Sequence, residues 1–357
     1  YGRTALISKI YSRIGAERPQ SISLVGDPKM GKSSLLWYLA QDTCKTAYLP
    51  NPEDYIYFYM PIKSEAQLCF RTFSTDLCDL IIRKIKPILD IEDARPSYDL
   101  LKRIAEELNQ RQKKIILLFD DFHLITQNET FPLEFFSFLR SLANNYNLAF
   151  VTTSHLDLQR LCVSKDVEES PFFNIFTNLS LKAFETEEAL QLIEEPFQKA
   201  GWSVNSEKAL VVEMAGLFPY TLQAACSILF DIKTERARLN DADINVWQNT
   251  FYEEVQGYFA VLWGWFSEDQ KEIFNLIAKS KKIDKSKDYV LRDLARRSYI
   301  VNTGEHPRLF STMFHRFVAE KNRMASPGHP TGKGSIQFLL GWLKKFIALF
   351  KVSTRSV

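Results

Sequence analysis

The chain has 357 residues and a mass of 41.4 kDa, enough for two or three domains with separate cores. Its 45 Lys and Arg nearly balance 43 Asp and Glu, and the formal charge of +2 excludes a strong chain-wide field suited to nucleic acid or membranes. Five scattered cysteines (Cys44, Cys69, Cys78, Cys162, Cys226) with no C-x-x-C pair argue against a disulfide framework or zinc site and for a reducing, cytoplasmic setting. No secretory leader is readable, and Tyr1 in place of Met fits a chain that begins inside a longer polypeptide.

Roughly the first 180 residues alternate apolar runs with amphipathic stretches, the pattern of a parallel sheet covered by helices. Strands are expected at 21–25, 55–60, 114–119, 148–153 and 176–181, and helices at 32–41, 66–85, 97–110 and 133–144. The first strand runs into Gly26-Asp27-Pro28-Lys29-Met30-Gly31-Lys32-Ser33, the spacing G-x-x-x-x-G-K-[ST] between a strand and a helix. Gly26 and Gly31 let the backbone turn so that successive N–H groups converge on phosphate oxygens. The helix that starts near Lys32 adds the positive end of its dipole. Lys32 is placed to reach the β- and γ-phosphates and Ser33 to ligate Mg²⁺, so these residue types point to a bound nucleoside triphosphate. A glycine turn that merely caps a helix is the plainer alternative.

The third strand, Lys114 to Phe119, ends in the pair Asp120-Asp121. Ligands of open parallel sheets sit at the carboxyl ends of the strands, so Asp120 is expected beside the loop, holding the Mg²⁺ water shell, with Asp121 polarising an attacking water. The alternative is a pair that solvates the strand end or caps the next helix. The fourth strand ends in Thr152-Thr153-Ser154-His155, whose hydroxyls, Thr153 among them, are candidates for contact with the γ-phosphate; an ordinary capped strand end fits as well.

Past Phe184 the strand signal fades. Residues 187–200, 206–215 and 221–233 read as a small helical bundle, and 240–266 as one or two further helices. Between them Gly216-Leu217-Phe218-Pro219-Tyr220 is either a helix break or one wall of an adenine pocket. Residues 267–320 run helix, basic loop, helix and short extended pieces at 299–302 and 308–310, an order that suits a winged helix. The expected fold class is therefore α/β, a P-loop NTPase sheet core (1–183) followed by an α-helical lid (184–258) and a winged-helix domain (259–322). A linker (323–334) leads to an apolar tail (335–357), where Ile336 to Phe350 forms an amphipathic helix for a membrane surface, for a partner or for the chain's own core.

Taken together, these features resemble the STAND-type P-loop ATPases, signal-transduction relatives of the AAA+ and origin-recognition ATPases. The likeness spans residues 1–320. Gly2 and Arg3 look like the short Gly-Arg element that lies near the adenine, and Gly26 to Ser34 match the phosphate loop. Leu117 to Asp121 match the hydrophobic-Asp-Asp strand, Phe176 to Glu188 the opening of the helical lid, and Arg308 to Val318 the end of the winged helix. Gly216 to Gln223 match the segment whose proline, here Pro219, touches the base. The resemblance implies ATP and ADP as ligands with Mg²⁺, Lys32 and Asp121 as catalytic residues, and a nucleotide-operated switch, whose turnover the departure at His155 described below is expected to slow. It also implies oligomerisation in the ATP state and activation of an attached or partner effector.

Two departures matter. Many members carry an arginine after the small hydroxyls of the fourth strand, and here that slot holds His155, which lacks the guanidinium fork. The phosphate-contacting histidine motif of the winged helix is absent in its usual form, and the nearby His315 does not replace it. A second reading is a DNA-handling initiator or transposition ATPase that grips duplex DNA through the basic residues Lys279, Lys281, Lys282, Lys285, Lys287, Arg292, Arg296 and Arg297, with Arg308 and Arg316 further on; an ordinary solvated face is the plainer alternative for this run. A third is a nucleotide-binding scaffold with negligible turnover.

Overall fold

The computed structural model describes residues 2–63, 68–89, 97–236, 238–301 and 306–324. Tyr1, the start of the helix expected from 66, Asn302, most of the linker and the apolar tail lie outside the described residues.

Five apolar runs form one parallel sheet: β1 (Ser21–Val25), β2 (Tyr55–Pro61), β3 (Lys114–Asp120), β4 (Leu148–Ser154) and β5 (Phe176–Ser180), in the order β2-β3-β4-β1-β5. Each strand lies within one residue of its expected bounds. Side chains alternate across the sheet. Ile22, Leu24, Tyr57, Ile116, Leu118 and Val151 face one layer, while Phe58, Ile115, Leu117, Phe119 and Phe150 face the other. Both layers are apolar, which is why the strands read as unbroken hydrophobic runs. Helices Phe70–Ile85, Tyr98–Gln110 and Leu133–Asn145 cover the second layer. Helices Thr4–Ile14 and Lys32–Leu39 cover the first. The short helix Asp42–Tyr48, which hydrophobic periodicity does not reveal, is held by Tyr48 stacking on Tyr11 at 5.1 Å.

Helices Thr186–Lys199, Lys208–Ala215 and Pro219–Glu235 follow, and then a single helix Asp241–Trp265 where one or two were expected. A reciprocal Asn240–Asp243 capping box starts this long helix, and buried Trp247 donates its Nε1–H to the Ala225 carbonyl at 3.0 Å. The boundary expected between 258 and 259 thus falls inside one continuous helix that serves both neighbouring parts. Helices Glu268–Ala278 and Asp288–Arg296, the antiparallel ribbon β6 (Ile300–Val301) with β7 (Arg308–Leu309), and helix Thr312–Met324 complete the described chain.

An aromatic cluster fuses these parts. Phe218 lies 4.3 Å from Phe310, Phe266 lies 4.9 Å from Tyr299 and Phe259 lies 5.2 Å from Phe314, all within the core that continues onto the first layer of the sheet. Gly216 sits at its edge with φ 68° and ψ −160°, a conformation open essentially to glycine alone. A Cβ there would come within 2.5 Å of the Phe310 carbonyl oxygen, which belongs to the backbone and cannot step aside. Gly216→Ala is expected to cost about 1–3 kcal/mol. Urea unfolding should show a lowered midpoint with the slope kept, and an unchanged midpoint would refute this account of Gly216.

Candidate nucleotide-binding site

The order of the sheet places the loop strand β1 beside β4, and β4 beside the acidic strand β3. Parallel register then brings the segment after Val25, the Thr153–Ser154 end of β4 and Asp120 out at the same edge. A cavity of about 1850 Å³ opens there. The loop winds around the start of helix Lys32–Leu39, whose first turn has no side-chain cap, so its backbone donors remain open toward the cavity. Gly31 takes φ 84°. At Gly26 a Cβ would approach the Leu181 carbonyl oxygen to 2.8 Å, so the close packing of the loop on the segment after β5 admits only glycine. Lys32 folds back over the loop, its Nζ donating to the carbonyls of Gly26 (2.8 Å) and Asp27 (3.1 Å). Burial lowers its pKa, and the carboxylates of Asp121, Asp27 and Asp120 oppose that shift.

The two acids diverge because their backbones differ. Asp120 closes β3 and is buried, whereas Asp121 takes φ 56°, a left-handed conformation that aspartate tolerates, and turns its side chain into the cavity. Thr153 donates its hydroxyl to Asp120 Oδ1 at 2.6 Å and accepts the Asp121 N–H at 2.7 Å. Tyr59, from the end of β2, donates to Asp120 Oδ2 at 3.3 Å. Burial, with Asp120 adding, pushes the Tyr59 phenol up to about 12, so it remains a donor. Asp121 is raised above an ordinary carboxylate by burial first and by Asp120 second, with Lys32 pulling the other way. Beside it His123 Nδ1 stands 3.9 Å from Asp121 Oδ1, and the His123 and His155 rings meet edge-on at 4.5 Å. Burial is the main reason both imidazoles are shifted down, His123 to about 4, so the slot that His155 fills carries no cation near neutral pH.

Elements remote in sequence close the cavity. Arg3 donates its backbone N–H to Glu188 Oε1 and its Nη2 to the Met30 carbonyl at 3.0 Å, with its guanidinium 4.7 Å from the Phe184 ring. A Cβ on Gly2 would collide with Glu188 at 2.9 Å. The same Glu188 accepts the Glu185 N–H in the capping box of helix Thr186–Lys199, so one carboxylate ties the chain start to the helical part. From the opposite side Tyr258 donates its hydroxyl to the Pro28 carbonyl at 3.2 Å, Lys29 Nζ lies 4.0 Å over the Tyr220 ring, and Arg297 pairs with Asp27.

Of the residues singled out from sequence, Gly2, Arg3, Pro28, Lys29, Met30, Gly31, Lys32, Ser33, Ser34, Asp121 and Pro219 line this one cavity, as does His155. Gly26, Asp27, Asp120 and Thr153 form the wall behind it. Thr153 is fully buried, with its hydroxyl donating to Asp120 and accepting the Asp121 N–H. His315 lies elsewhere, exposed on helix Thr312–Met324. Three of the eight residues of the basic run are paired, Lys287 with Glu272, Arg296 with Asp293 and Arg297 with Asp27, while Lys279, Lys281, Lys282, Lys285 and Arg292 are exposed. Sequence reasoning did not single out Tyr59, Glu188, Tyr258 or His123 as site residues. Tyr59 stands two residues before Pro61, which pairs with Asp120, a register that no local sequence pattern reports.

The donors present fit a magnesium nucleotide: an uncapped helix start, a lysine satisfied only by loop carbonyls, a Ser33 hydroxyl open to the cavity, and one buried and one accessible carboxylate. Known proteins share this fold. A Walker-type ATPase of Pyrococcus abyssi superposes with a TM-score of 0.58 at 14% identity, over 89% of this chain and 96% of that one. The Aeropyrum pernix ORC2 protein in its ADP form superposes with a TM-score of 0.55 at 13% identity, over 91% of this chain and 94% of that one. At such identities the likeness shows the fold, a P-loop ATPase core with an appended helical part. No curated protein matches the sequence. Residues 16–283 match the family described as Novel STAND NTPase 2, and the chain belongs to that family of nucleotide-binding P-loop NTPases.

Proposed function

We propose that the chain is a regulatory switch that binds ATP or ADP with Mg²⁺, hydrolyses ATP slowly and changes its arrangement with the nucleotide held. The observation that carries this reading is that one phosphate loop is touched from two sides. Arg3, tied to the helical part through Glu188, reaches it at Met30, while Tyr258 and Arg297 reach it at Pro28 and Asp27. A ligand on that loop therefore acts on contacts among all parts of the chain, and differential affinity for two arrangements is what a switch requires. We read residues 259–322 as a winged-helix unit on the order of their elements, and Gly2, Arg3 and Pro219 as the base end of the cavity.

In this reading the loop N–H groups and Lys32 hold the phosphates, and Lys32 leaves the Gly26 and Asp27 carbonyls to do so. Ser33 and Asp120 would hold Mg²⁺, which neutralises phosphate charge when bound. Thr153 and Tyr59 fix the Asp120 carboxylate. Asp121, accessible and with a raised pKa, accepts the proton of the attacking water. A neutral His155 offers no positive charge to the leaving γ-phosphate, which favours slow turnover and keeps a scaffold with negligible hydrolysis as the second reading. A nucleotide-dependent effector, attached or separate, and self-association in the ATP form complete the proposal. Ion pairs of Lys287, Arg296 and Arg297 withdraw three of the eight charges of the basic run from a surface for duplex DNA.

Lys32→Ala is expected to weaken ADP binding about 10- to 100-fold in calorimetric titration. Asp121→Asn should keep binding and lower phosphate release by about 100-fold or more; wild-type release equal to that of Asp121→Asn would establish the scaffold instead. Tyr59→Phe and Thr153→Val should each retain ADP affinity and lower phosphate release by about 10- to 100-fold, with rates equal to wild type removing their positioning role. Light scattering should give a larger particle mass with a non-hydrolysable ATP analogue than with ADP. Equal masses in both, with any trigger present, would sink the self-associating switch.

A further inference from the structure

Asp27 is an odd residue for its place. It occupies the second position of a loop whose backbone, lysine and helix start are all arranged for anions, and its carboxylate opposes that field. It is not left open to water: only 12% of its side chain is exposed. Arg297, at the end of helix Asp288–Arg296 and 270 residues away in the chain, grips it with two parallel bonds, Nη2 to Oδ1 at 2.7 Å and Nε to Oδ2 at 3.2 Å. The guanidinium is itself held in place, 5.2 Å from the Tyr299 ring and 5.7 Å from Phe266, with Nη1 3.7 Å from Asp293 Oδ2. Tyr258 binds the next loop residue through the Pro28 carbonyl.

We propose that Arg297 is a conditional part of the phosphate site: it cancels the charge of Asp27 only while the C-terminal elements lie against the loop, so docking strengthens nucleotide binding. Linkage makes the effect reciprocal, and bound nucleotide holds the C-terminal elements down by the same factor. When they lift, the charge of Asp27 behind the cavity wall is uncompensated and weakens the hold on the bound phosphates. Exchange and opening thereby become one event. This inference rests on the reading of the loop as the nucleotide site.

The test is a cycle of four proteins, wild type, Asp27→Asn, Arg297→Gln and the double variant, titrated calorimetrically with Mg-ADP. A full uncompensated charge beside phosphate in a half-buried site is worth about tenfold in affinity. Arg297→Gln is therefore expected to weaken ADP about tenfold, and Asp27→Asn to bind as tightly as wild type or more so. The double variant should return to the affinity of Asp27→Asn. Small-angle X-ray scattering without nucleotide should show a larger radius for both single variants, since each breaks the pair. Arg297→Lys keeps the charge without the fork and should stay within about threefold of wild type, whereas a merely structural arginine would make Lys and Gln equivalent. Wild-type affinity in Arg297→Gln, or a tenfold loss that persists undiminished in the double variant, overturns the proposal while leaving the nucleotide site standing. A wild type that ignores ADP removes the site itself and the proposal with it.

Discussion

A phosphate loop presents its binding groups on the backbone, so its usefulness depends on what holds that backbone in shape. Side chains within the loop cannot do this alone, because glycine at positions 26 and 31 removes the steric guidance that other residues would give. Here the shape is imposed from outside. Leu181 packs on Gly26, Arg3 ties down Met30, Tyr258 ties down Pro28 and Arg297 ties down Asp27. Four neighbours from four separate segments converge on eight residues, and the rest of the architecture follows from bringing them there.

The sheet supplies one of these neighbours and the acids. Because β4 lies between the loop strand and the acidic strand, its terminal hydroxyl is the natural bridge between loop and acids. Thr153 fills that bridge by binding both Asp120 and the Asp121 backbone, which fixes the buried acid and the turn that exposes its neighbour with one side chain. The remaining neighbours come from helical elements, and these need a common core to reach the loop at fixed positions. Phe218, Phe259, Phe274, Tyr299, Phe310 and Phe314 provide it, and aromatic rings suit the task since each buries a large area at few rotatable bonds.

How much of this was readable in advance follows from how local each signal is. The five strands were legible because both faces of a covered parallel sheet are apolar, and the loop because its chemistry requires fixed residue types at fixed spacing. The helix Asp241–Trp265 was blurred because buried residues lie on several of its faces and Gly257 and Gly264 interrupt its propensity. The Arg297–Asp27 pair was hidden outright. Arg297 sits in a run of lysines and arginines that reads as a solvated or DNA-facing surface, and nothing in its local spacing reports a partner in the loop. His123 and Tyr59 were missed for the same reason: their importance comes from a neighbouring strand, not from their own segment.

The loss of arginine after the fourth strand and the presence of Arg297 against the loop bear on each other. An arginine in the His155 slot would favour the triphosphate over the diphosphate through its permanent charge, whereas a half-buried imidazole whose pKa is shifted down would discriminate weakly between them. Arg297, by contrast, acts on Asp27 near the root of the loop, where its influence is shared by any nucleotide that the loop wraps. In the proposed switch, weak sensing of the γ-phosphate and strong dependence on the C-terminal elements would leave control chiefly to those elements. His155 is in edge contact with Trp265 at 4.8 Å, at the end of the helix that leads into the Arg297 segment. In the proposed switch, any response at His155 would therefore reach the same helix. Control from the C-terminal side, with the nucleotide as the quantity controlled, is the arrangement that these contacts favour.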